Sequence, residues 1–467
     1  MTKLKFIFIS LIIVFISSCT TAVKKRSAFD ELNFITNQEY KIDKLKYDSL
    51  QLESGISLNY LKNNETPIVN ILFIISNAGS IFDPKGKKGL SDLTCSVIKE
   101  KLDDSLTKNG NFKNGYLLES YTSPFYTIFK ASVYSEDVGN YLKYFGRTLK
   151  LVSFNQDKIN KLSLRIDNSR ESFEYYDFVQ VLKSRLFAKT NPLGALPFDK
   201  TELNFSDLEL AGFFKKHYDP SKMALFASGD IASNQFFKYC EDYLDLDLKA
   251  VNTQQYNFNE ISDSIARLFI YKMNTSMATI VTGNHIKDSS IEDLPYIKLL
   301  INMINNRIIA IIRGRENMSY FITSELHNPG FDGTALRPGV FFIIGSTEYS
   351  NIPNFIKLIF QELDKIKLEG FSDYEININK NKLINSLYFE DENIVDYMLF
   401  DYERKNNGYG SNYLENFIDQ LSKLDKSRMF DLYKKYFDSM SFKTVVFGKE
   451  MLIKNRLLNE NIEIINP

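Results

Sequence analysis

The chain has 467 residues, a length that predicts two or more domains. Its 57 basic and 58 acidic residues give a formal net charge of −1, so no nucleic-acid partner is indicated. Apolar residues make up 44% of the chain, which is enough for large buried cores.

The N-terminus is typical of a secretory signal peptide. Basic residues precede an apolar run, residues 6–16, that is too short to span a bilayer. Two serines and Cys19 follow the run, and this ending resembles a bacterial lipoprotein signal. We therefore predict a signal peptide over residues 1–19, lipid on Cys19, and a polar tether over 20–45 that holds the protein at the cell envelope. An ordinary cleaved signal or a signal anchor is the alternative.

Two further cysteines, Cys95 and Cys240, lie in the body of the chain. One disulfide between them or two separately buried thiols would both fit an oxidising compartment. A single pair in so long a chain is no disulfide framework, and the pattern favours two thiols.

The first half alternates predicted strands and helices. Two strands, SGISLNYLK and PIVNILFIISNAGS, come before a helix that starts at Leu90, and YLLESYTS and YTIFKASVYS come after it. The remaining segments are a helix near Ser135, a long helical tract over 157–188, a helix over 207–217 and a strand over 223–231.

The second half repeats this order. Its strands are RLFIYKMN, MATIVTGN, YFITSELHN, GVFFIIGSTEYS and TVVFGKE, with helices over 295–305 and 352–366 and a long helix after Gly370. The doubled β-β-α-β-β-α order predicts an α+β fold of two homologous domains with antiparallel sheets. We place these domains at residues 46–245 and 263–455, joined by a polar linker over 246–262.

The helix that starts at Leu90 has two distinct faces. Apolar residues form one stripe at helical spacing, and Asp92, Cys95 and Ser96 lie away from it at i, i+3 and i+4. This spacing is the one that a zinc helix uses to aim two ligands and a base at a metal ion.

Several stretches together resemble the pitrilysin/insulinase family of zinc peptidases, the inverzincins. PIVNILFIISNAGSIFDPKGKKGLSDLT is similar to that family's first strand and the start of its active-site helix. NPLGALPFDKTELNFSDLELAGFFKKHYDPSKMALFASGDI resembles the end of its first domain, and IIRGRENMSYFITSEL and GFSDYEININKNKLI resemble parts of its second. The resemblance implies a two-domain half of a peptide-enclosing chamber.

The family carries H-x-x-E-H on its active-site helix, where two histidines bind zinc and the glutamate is the general base. Laid on this sequence, the motif positions fall on Asp92, Cys95 and Ser96. The third zinc ligand would fall within residues 158–177, where Asp167, Glu171 and Glu174 are the candidates. The resemblance thus implies a chain that binds no zinc and has no cofactor of its own.

The chain has three histidines in all, and none precedes residue 217. We predict that His217, His285 and His327 are surface or packing residues. In the family layout that the resemblance implies, His217 belongs to the segment before the domain-closing strand, far from the metal. A cysteine nucleophile at Cys95 would need a base, usually histidine, and none is near it in sequence. No catalytic residue is therefore assigned. Asp92 also has a simpler interpretation, a carboxylate favoured by the helix dipole.

The resemblance also implies two substrate-binding features. Arg313 and Tyr320 match an arginine and a tyrosine that the family places beside substrate, and Arg315 competes for the arginine role. The alternative is a solvated helix-end charge at Arg313 and a core residue at Tyr320. In addition, an edge strand of the family's chamber accepts peptide as an added strand, and PIVNILFIISN is the best candidate for the neighbouring strand in the first domain. Burial explains its apolar runs equally well.

The sequence therefore predicts a zinc-free, lipid-anchored homologue of these peptidases that faces the periplasm or the cell surface. As the family splits such roles between subunits, it would pair with a zinc-bearing homologue and bind extended peptides. A stand-alone peptide-binding or protein-binding lipoprotein is the first alternative. An active zinc peptidase with its site elsewhere is the second.

Overall fold

The computed structural model describes residues 46–465, with gaps at 85, 109–111, 113, 170–174, 195–203, 249–259, 287–288, 328–338, 390–393, 407–412 and 458–461. The side chains of 166–169, 176, 387–389 and 406 are likewise not described. The predicted signal peptide, Cys19 and most of the tether lie outside these residues. Within the described part of the chain, no helix is both long enough and apolar enough to cross a bilayer.

The first half builds a six-stranded sheet in the order β1-β2-β6-β3-β5-β4. Its strands are β1 (Asp48–Gln51), β2 (Ser57–Lys62), β3 (Ile68–Ser76), β4 (Tyr116–Thr122), β5 (Tyr126–Tyr134) and β6 (Met223–Gly229). All neighbours are antiparallel except β2 and β6. The central strands β3 and β6 are apolar on both faces, because both faces of the sheet are covered.

The helices of the first half pack mainly on one face of this sheet. They are α1 (Leu90–Lys108), α2 (Val138–Lys150), α3 (Gln156–Ser169), α4 (Tyr175–Leu186), α5 (Asp207–His217) and α6 (Ser233–Leu244). A glycine positions the turn before α1, because a Cβ at Gly79 would lie 2.4 Å from the carbonyl oxygen of Pro124. This close approach joins the end of β3 to the hairpin between β4 and β5.

The second half repeats the arrangement as β12-β7-β11-β8-β10-β9. Its strands are β7 (Leu268–Lys272), β8 (Ala278–Ile286), β9 (Ile322–His327), β10 (Gly339–Thr347), β11 (Lys443–Gly448) and β12 (Ile462–Ile465). Its helices are α7 (Leu294–Ile309), α8 (Ile352–Glu369), α9 (Asp373–Phe389), α10 (Ile394–Asn406), α11 (Tyr413–Ser422), α12 (Lys426–Tyr436) and α13 (Glu450–Lys454). The predicted fold class, two α+β domains with largely antiparallel sheets, is confirmed.

Each half also sends one helix onto the sheet of the other half. Helix α4 packs against β8 and β11, whereas α10 packs against β3 and β6. Two residues of α10, Met398 and Tyr402, are buried against Leu72 of β3 and Phe226 of β6. Since burying a side chain such as Met398 contributes about 2 kcal/mol, these contacts hold the halves together.

The long helical tract predicted over residues 157–188 is two helices in the structure. Helix α3 ends at Ser169 and stays with the first half, while α4 begins at Tyr175 and lies on the second sheet. The two helices have different partners, and the sequence pattern does not contain that information.

Candidate functional site

An aspartate that precedes α1 fixes the first turn of the helix. The carboxylate of Asp83 accepts hydrogen bonds from the backbone N–H groups of Gly89 and Ser91, both at 2.8 Å. These are donors that the helix itself leaves unpaired. Burial raises the pKa of Asp83 to about 7, and the charge of Asp92 acts in the same direction. The start of α1 is thereby tied to the segment that follows β3.

Cys95 lies on the side of α1 that faces β4. Its side chain is 2% exposed and approaches the hydroxyls of Ser120 and Thr122. Burial raises the pKa of the thiol to about 12, and the nearby Asp92 carboxylate adds to the rise. Since the thiolate is the form that reacts and binds metal, Cys95 is an inert packing residue at neutral pH.

The donor atoms at the motif positions do not fit a zinc centre. Zinc sites in this geometry use imidazole, thiolate or carboxylate donors. The chain offers one partly exposed carboxylate at Asp92, a neutral hydroxyl at Ser96 and a thiol that is turned toward the sheet. Among the described residues, no group of three His, Cys, Asp or Glu side chains is placed to hold a metal ion.

The window expected to supply the third ligand is only partly described. Glu171 and Glu174 lie outside the described residues, and so does the side chain of Asp167. That prediction therefore stays a prediction.

His217 is buried on a helix that packs against α1. Helix α5 packs against α1, and the His217 ring lies between Phe82 and Phe213, at centroid distances of 5.6 and 4.4 Å. Its Nδ1 is 2.7 Å from the carbonyl oxygen of Asn77. Burial lowers the pKa of His217 to about 4, so the ring is neutral and packed.

The two histidines of the second half lie on strands of the second sheet. His285 is in β8, and His327 ends β9. The Nδ1 atom of His327 is in hydrogen-bond contact with the amine of Lys183 on α4, and burial lowers the pKa of this ring to about 3. This contact contributes to the packing of α4 on the second sheet.

Beside α1, the sheet ends in an edge strand. Strand β4 pairs with β5 and with no other strand in the described part of the chain. The hydroxyl of Tyr116 donates to the Asp103 carboxylate at 2.7 Å, so this face of β4 lies against α1. Leu117, Glu119 and Tyr121 alternate onto the other face and are exposed.

Our prediction that PIVNILFIISN lies next to the peptide-binding edge is wrong. The segment PIVNILFIISN forms β3, which is paired on both sides, with β5 and β6. Its apolar residues are explained by burial on both faces. The strand with an open side is β4, two strands away.

Arg313 and Tyr320 are both exposed. Arg313 is in the last turn of a π-helix, Ala310–Arg315, and Tyr320 is 93% exposed in the segment before β9. The alternative of Tyr320 as a core residue is therefore wrong. Arg315 forms an ion pair with Glu316 at 2.7 Å, which leaves Arg313 as the better candidate for contact with a ligand.

Comparison with known proteins agrees with this geometry. Residues 204–383 match the family model described as the Peptidase M16 inactive domain. No curated protein sequence matches the chain. M16 is the designation of the pitrilysin/insulinase peptidases, so the predicted resemblance to that family is confirmed.

Solved structures show the same fold at low identity. A peptidase M16 inactive domain from Pseudomonas fluorescens has a TM-score of 0.72 at 16% identity, over 87% of this chain and 98% of that one. The first half of the periplasmic protease PqqL from Escherichia coli has 0.68 at 15%, over 89% and 94%. A chain of complex III2 from Candida albicans has 0.70 at 13%, over 90% and 98%.

Sequence reasoning missed the open edge at β4 and the anchoring role of Asp83. The alternation in YLLESYT did indicate a strand with one exposed face. Strand β4 remains at the edge because β6, the last strand of this half, joins the sheet between β2 and β3 and not beside β4. For Asp83, the signal was an aspartate shortly before a glycine and a helix start.

Proposed function

We propose that the protein is a non-catalytic M16-type subunit that binds extended peptides at the β4 edge and pairs with a zinc-bearing homologue. The observation that carries this proposal is an intact family scaffold whose active-site helix lacks the donors of the family's metal site. The thiol at Cys95 is buried and uncharged, and Ser96 has only a hydroxyl.

Peptide binding is supported by the open side of β4. An edge strand presents unpaired N–H and C=O groups that an extended peptide can pair with. The edge lies directly alongside α1, so a peptide added there would pass the positions where the family carries its catalytic groups. Binding would thus deliver a peptide to a partner's chemistry without cleaving it.

Arg313 and Tyr320 would supply a second contact. Both side chains are exposed, and no ion pair of Arg313 occurs within the described residues. A guanidinium can donate paired hydrogen bonds to a peptide carbonyl or a terminal carboxylate. We assign this role to Arg313, with the Tyr320 ring as an apolar contact.

The cell envelope is the location we propose, with lipid on Cys19 as the anchor. One structural neighbour is a periplasmic protease and another belongs to a multisubunit complex, which suits both the location and the pairing. The protein would need no zinc of its own in this arrangement.

The test is affinity purification of the tagged full chain from its own cells after mild crosslinking. We expect to recover, together with the tagged chain, a homologue that carries H-x-x-E-H, in an amount comparable to that of the tagged chain. The Cys19→Ser chain is the control that separates a direct contact from shared attachment to a membrane, and it should recover the same partner. Recovery of no peptidase homologue with either bait would contradict the pairing and favour a stand-alone peptide-binding lipoprotein.

A further inference from the structure

We propose that the β4 edge selects extended peptides in which a basic residue is flanked, two positions away on each side, by apolar residues. This inference rests on the proposed binding of peptide at β4. It adds the side-chain pattern of the ligand, which the fold alone does not give.

The register of the hairpin determines which backbone groups of β4 are open. Ser123 donates its N–H to the carbonyl oxygen of Tyr126 at 2.8 Å, so these two residues form a hydrogen-bonded pair. Such pairs alternate along an antiparallel ladder. The backbone N–H and C=O groups of Glu119 therefore pair with those of Lys130 on β5. The N–H and C=O groups of Leu118 and Ser120 point the other way, toward the open side of β4.

An added peptide would hydrogen-bond to Leu118 and Ser120. The side chains of Leu117, Glu119 and Tyr121 would then lie at the positions between those bonds. In an antiparallel pair these positions have the closest side chains, with Cβ atoms about 4.5–5.5 Å apart. Three successive same-face residues of the ligand, at i, i+2 and i+4, would each meet one of these side chains.

The outer two of these side chains offer apolar surface. Leu117 is 70% exposed and Tyr121 is 39% exposed. Both lie on the face of the sheet opposite α1. Apolar or aromatic ligand residues at i and i+4 would cover them and remove this surface from water.

The central side chain favours a positive charge. Glu119 is exposed and has no ion pair within the described residues. Lys130, directly across the ladder, is shared with Asp396 at 3.6 Å and lies 5.3 Å from the centre of the Tyr121 ring. The carboxylate of Glu119 is thus the group left to meet the ligand residue at i+2.

The surroundings of this strand are acidic as well. Burial raises the pKa of Tyr121 to about 12, and the carboxylates of Asp396 on α10 and of Glu119 itself lie close enough to add to this rise. The cation that lies over the Tyr121 ring, Lys130, is itself shared with Asp396. A lysine or arginine in the ligand would therefore be favoured over a glutamate.

The test uses fluorescently labelled peptides and the full chain with Cys19→Ser in solution, measured by anisotropy. One peptide contains Leu-Thr-Lys-Thr-Phe between glycine-serine flanks, and a second has Glu in place of Lys. We expect the Lys peptide to bind at least about fivefold more tightly than the Glu peptide. Glu119→Lys should reverse this preference.

The matched control is Glu53→Lys, which makes the same charge change at an exposed position of the same half, before β2. It should leave the preference unchanged. A third peptide with Ser in place of Leu and Phe should bind more weakly than the first to every variant.

The outcomes separate the two proposals. If both charged peptides bind equally and Glu119→Lys changes nothing, the side-chain pattern is wrong while peptide binding stands. If none of the peptides binds to any variant, peptide binding at β4 fails, and the pattern fails with it.

Discussion

Position 95 is where we predict that the general base of the peptidase family falls, and this chain has a buried thiol there. The thiol faces Ser120 and Thr122 on β4, and burial raises its pKa to about 12. Spacing on the helix predicted that Asp92, Cys95 and Ser96 share one side. The spacing did not predict that the Cys95 side chain faces the sheet, because this depends on the rotation of α1 about its own axis relative to β4.

Thiol labelling tests this description of Cys95. In the folded Cys19→Ser chain at pH 8, neither Cys95 nor Cys240 should react with a soluble disulfide reagent, since both are buried free thiols. In denaturant, both should react. Rapid modification of Cys95 in the folded protein, located by mass spectrometry, would contradict the buried position.

A buried carboxyl group on α10 makes stability depend on pH. Glu403 accepts a hydrogen bond from the Tyr126 hydroxyl, and burial raises its pKa from 4.5 to about 7. Between these values the folded protein keeps a proton that the unfolded chain releases. The stabilising effect of the group is therefore fully present below pH 4.5 and is lost as the pH rises through 7.

Glu403→Gln should remove this dependence while keeping an acceptor for Tyr126. At pH 8 we expect the free energy of unfolding, measured with urea, to be higher for the variant than for the parent by on the order of 3 kcal/mol. At pH 4 the two values should be equal. Glu53→Gln, at an exposed site, should change neither value. Equal stability of Glu403→Gln and parent at pH 8 would show that the carboxylate is solvated.

At the scale of elements, β4 is the strand on which the binding proposal depends. The open backbone groups alternate along it, so proline scanning can separate the ligand side from the sheet side. Leu118 directs its N–H outward, and Glu119 directs its N–H to β5. Proline lacks this donor and is tolerated on edge strands where the N–H faces solvent.

Leu118→Pro should therefore weaken peptide binding about tenfold. Leu118→Ala loses the same partly buried side chain but keeps the N–H group, so it is the matched control and should leave peptide binding nearly unchanged. Glu119→Pro removes a ladder hydrogen bond and should lower the free energy of unfolding by about 1 kcal/mol or more, and with it the melting temperature. The comparison requires both anisotropy and thermal unfolding. Unchanged peptide affinity in a folded Leu118→Pro variant would exclude strand addition at this edge.

The existence and type of most elements could be predicted from periodicity, but their neighbours could not. YLLESYT was recognisable as a strand, yet its edge position follows from β6 returning between β2 and β3. Likewise the tract over 157–188 reads as continuous helix. Its division into α3 and α4 follows from packing on two different sheets.

At the scale of the whole molecule, the two halves are interlocked. Each sheet has its own helices on one face and a helix of the other half on the opposite face, α10 on the first sheet and α4 on the second. Apolar residues from both sheets, such as Phe73 and Phe342, join one continuous core. The duplicated pattern predicted two similar domains, but an apolar helix face does not indicate which sheet will cover it.

This architecture explains how the scaffold can persist without the zinc ligands. The position of α1 depends on Asp83, on the turn at Gly79 and on packing against α5, and none of these needs a metal. The position of α1 and the open edge beside it thus need no metal ion at the motif positions.

The most direct test of the account is the metal content and activity of the purified full chain with Cys19→Ser. We expect less than a tenth of an equivalent of zinc by elemental analysis after exposure to zinc and desalting. We also expect no cleavage of the peptides that it binds, because the motif positions have neither the imidazole donors nor the general base. One tightly held zinc per chain, with cleavage that a chelator abolishes, would contradict the account.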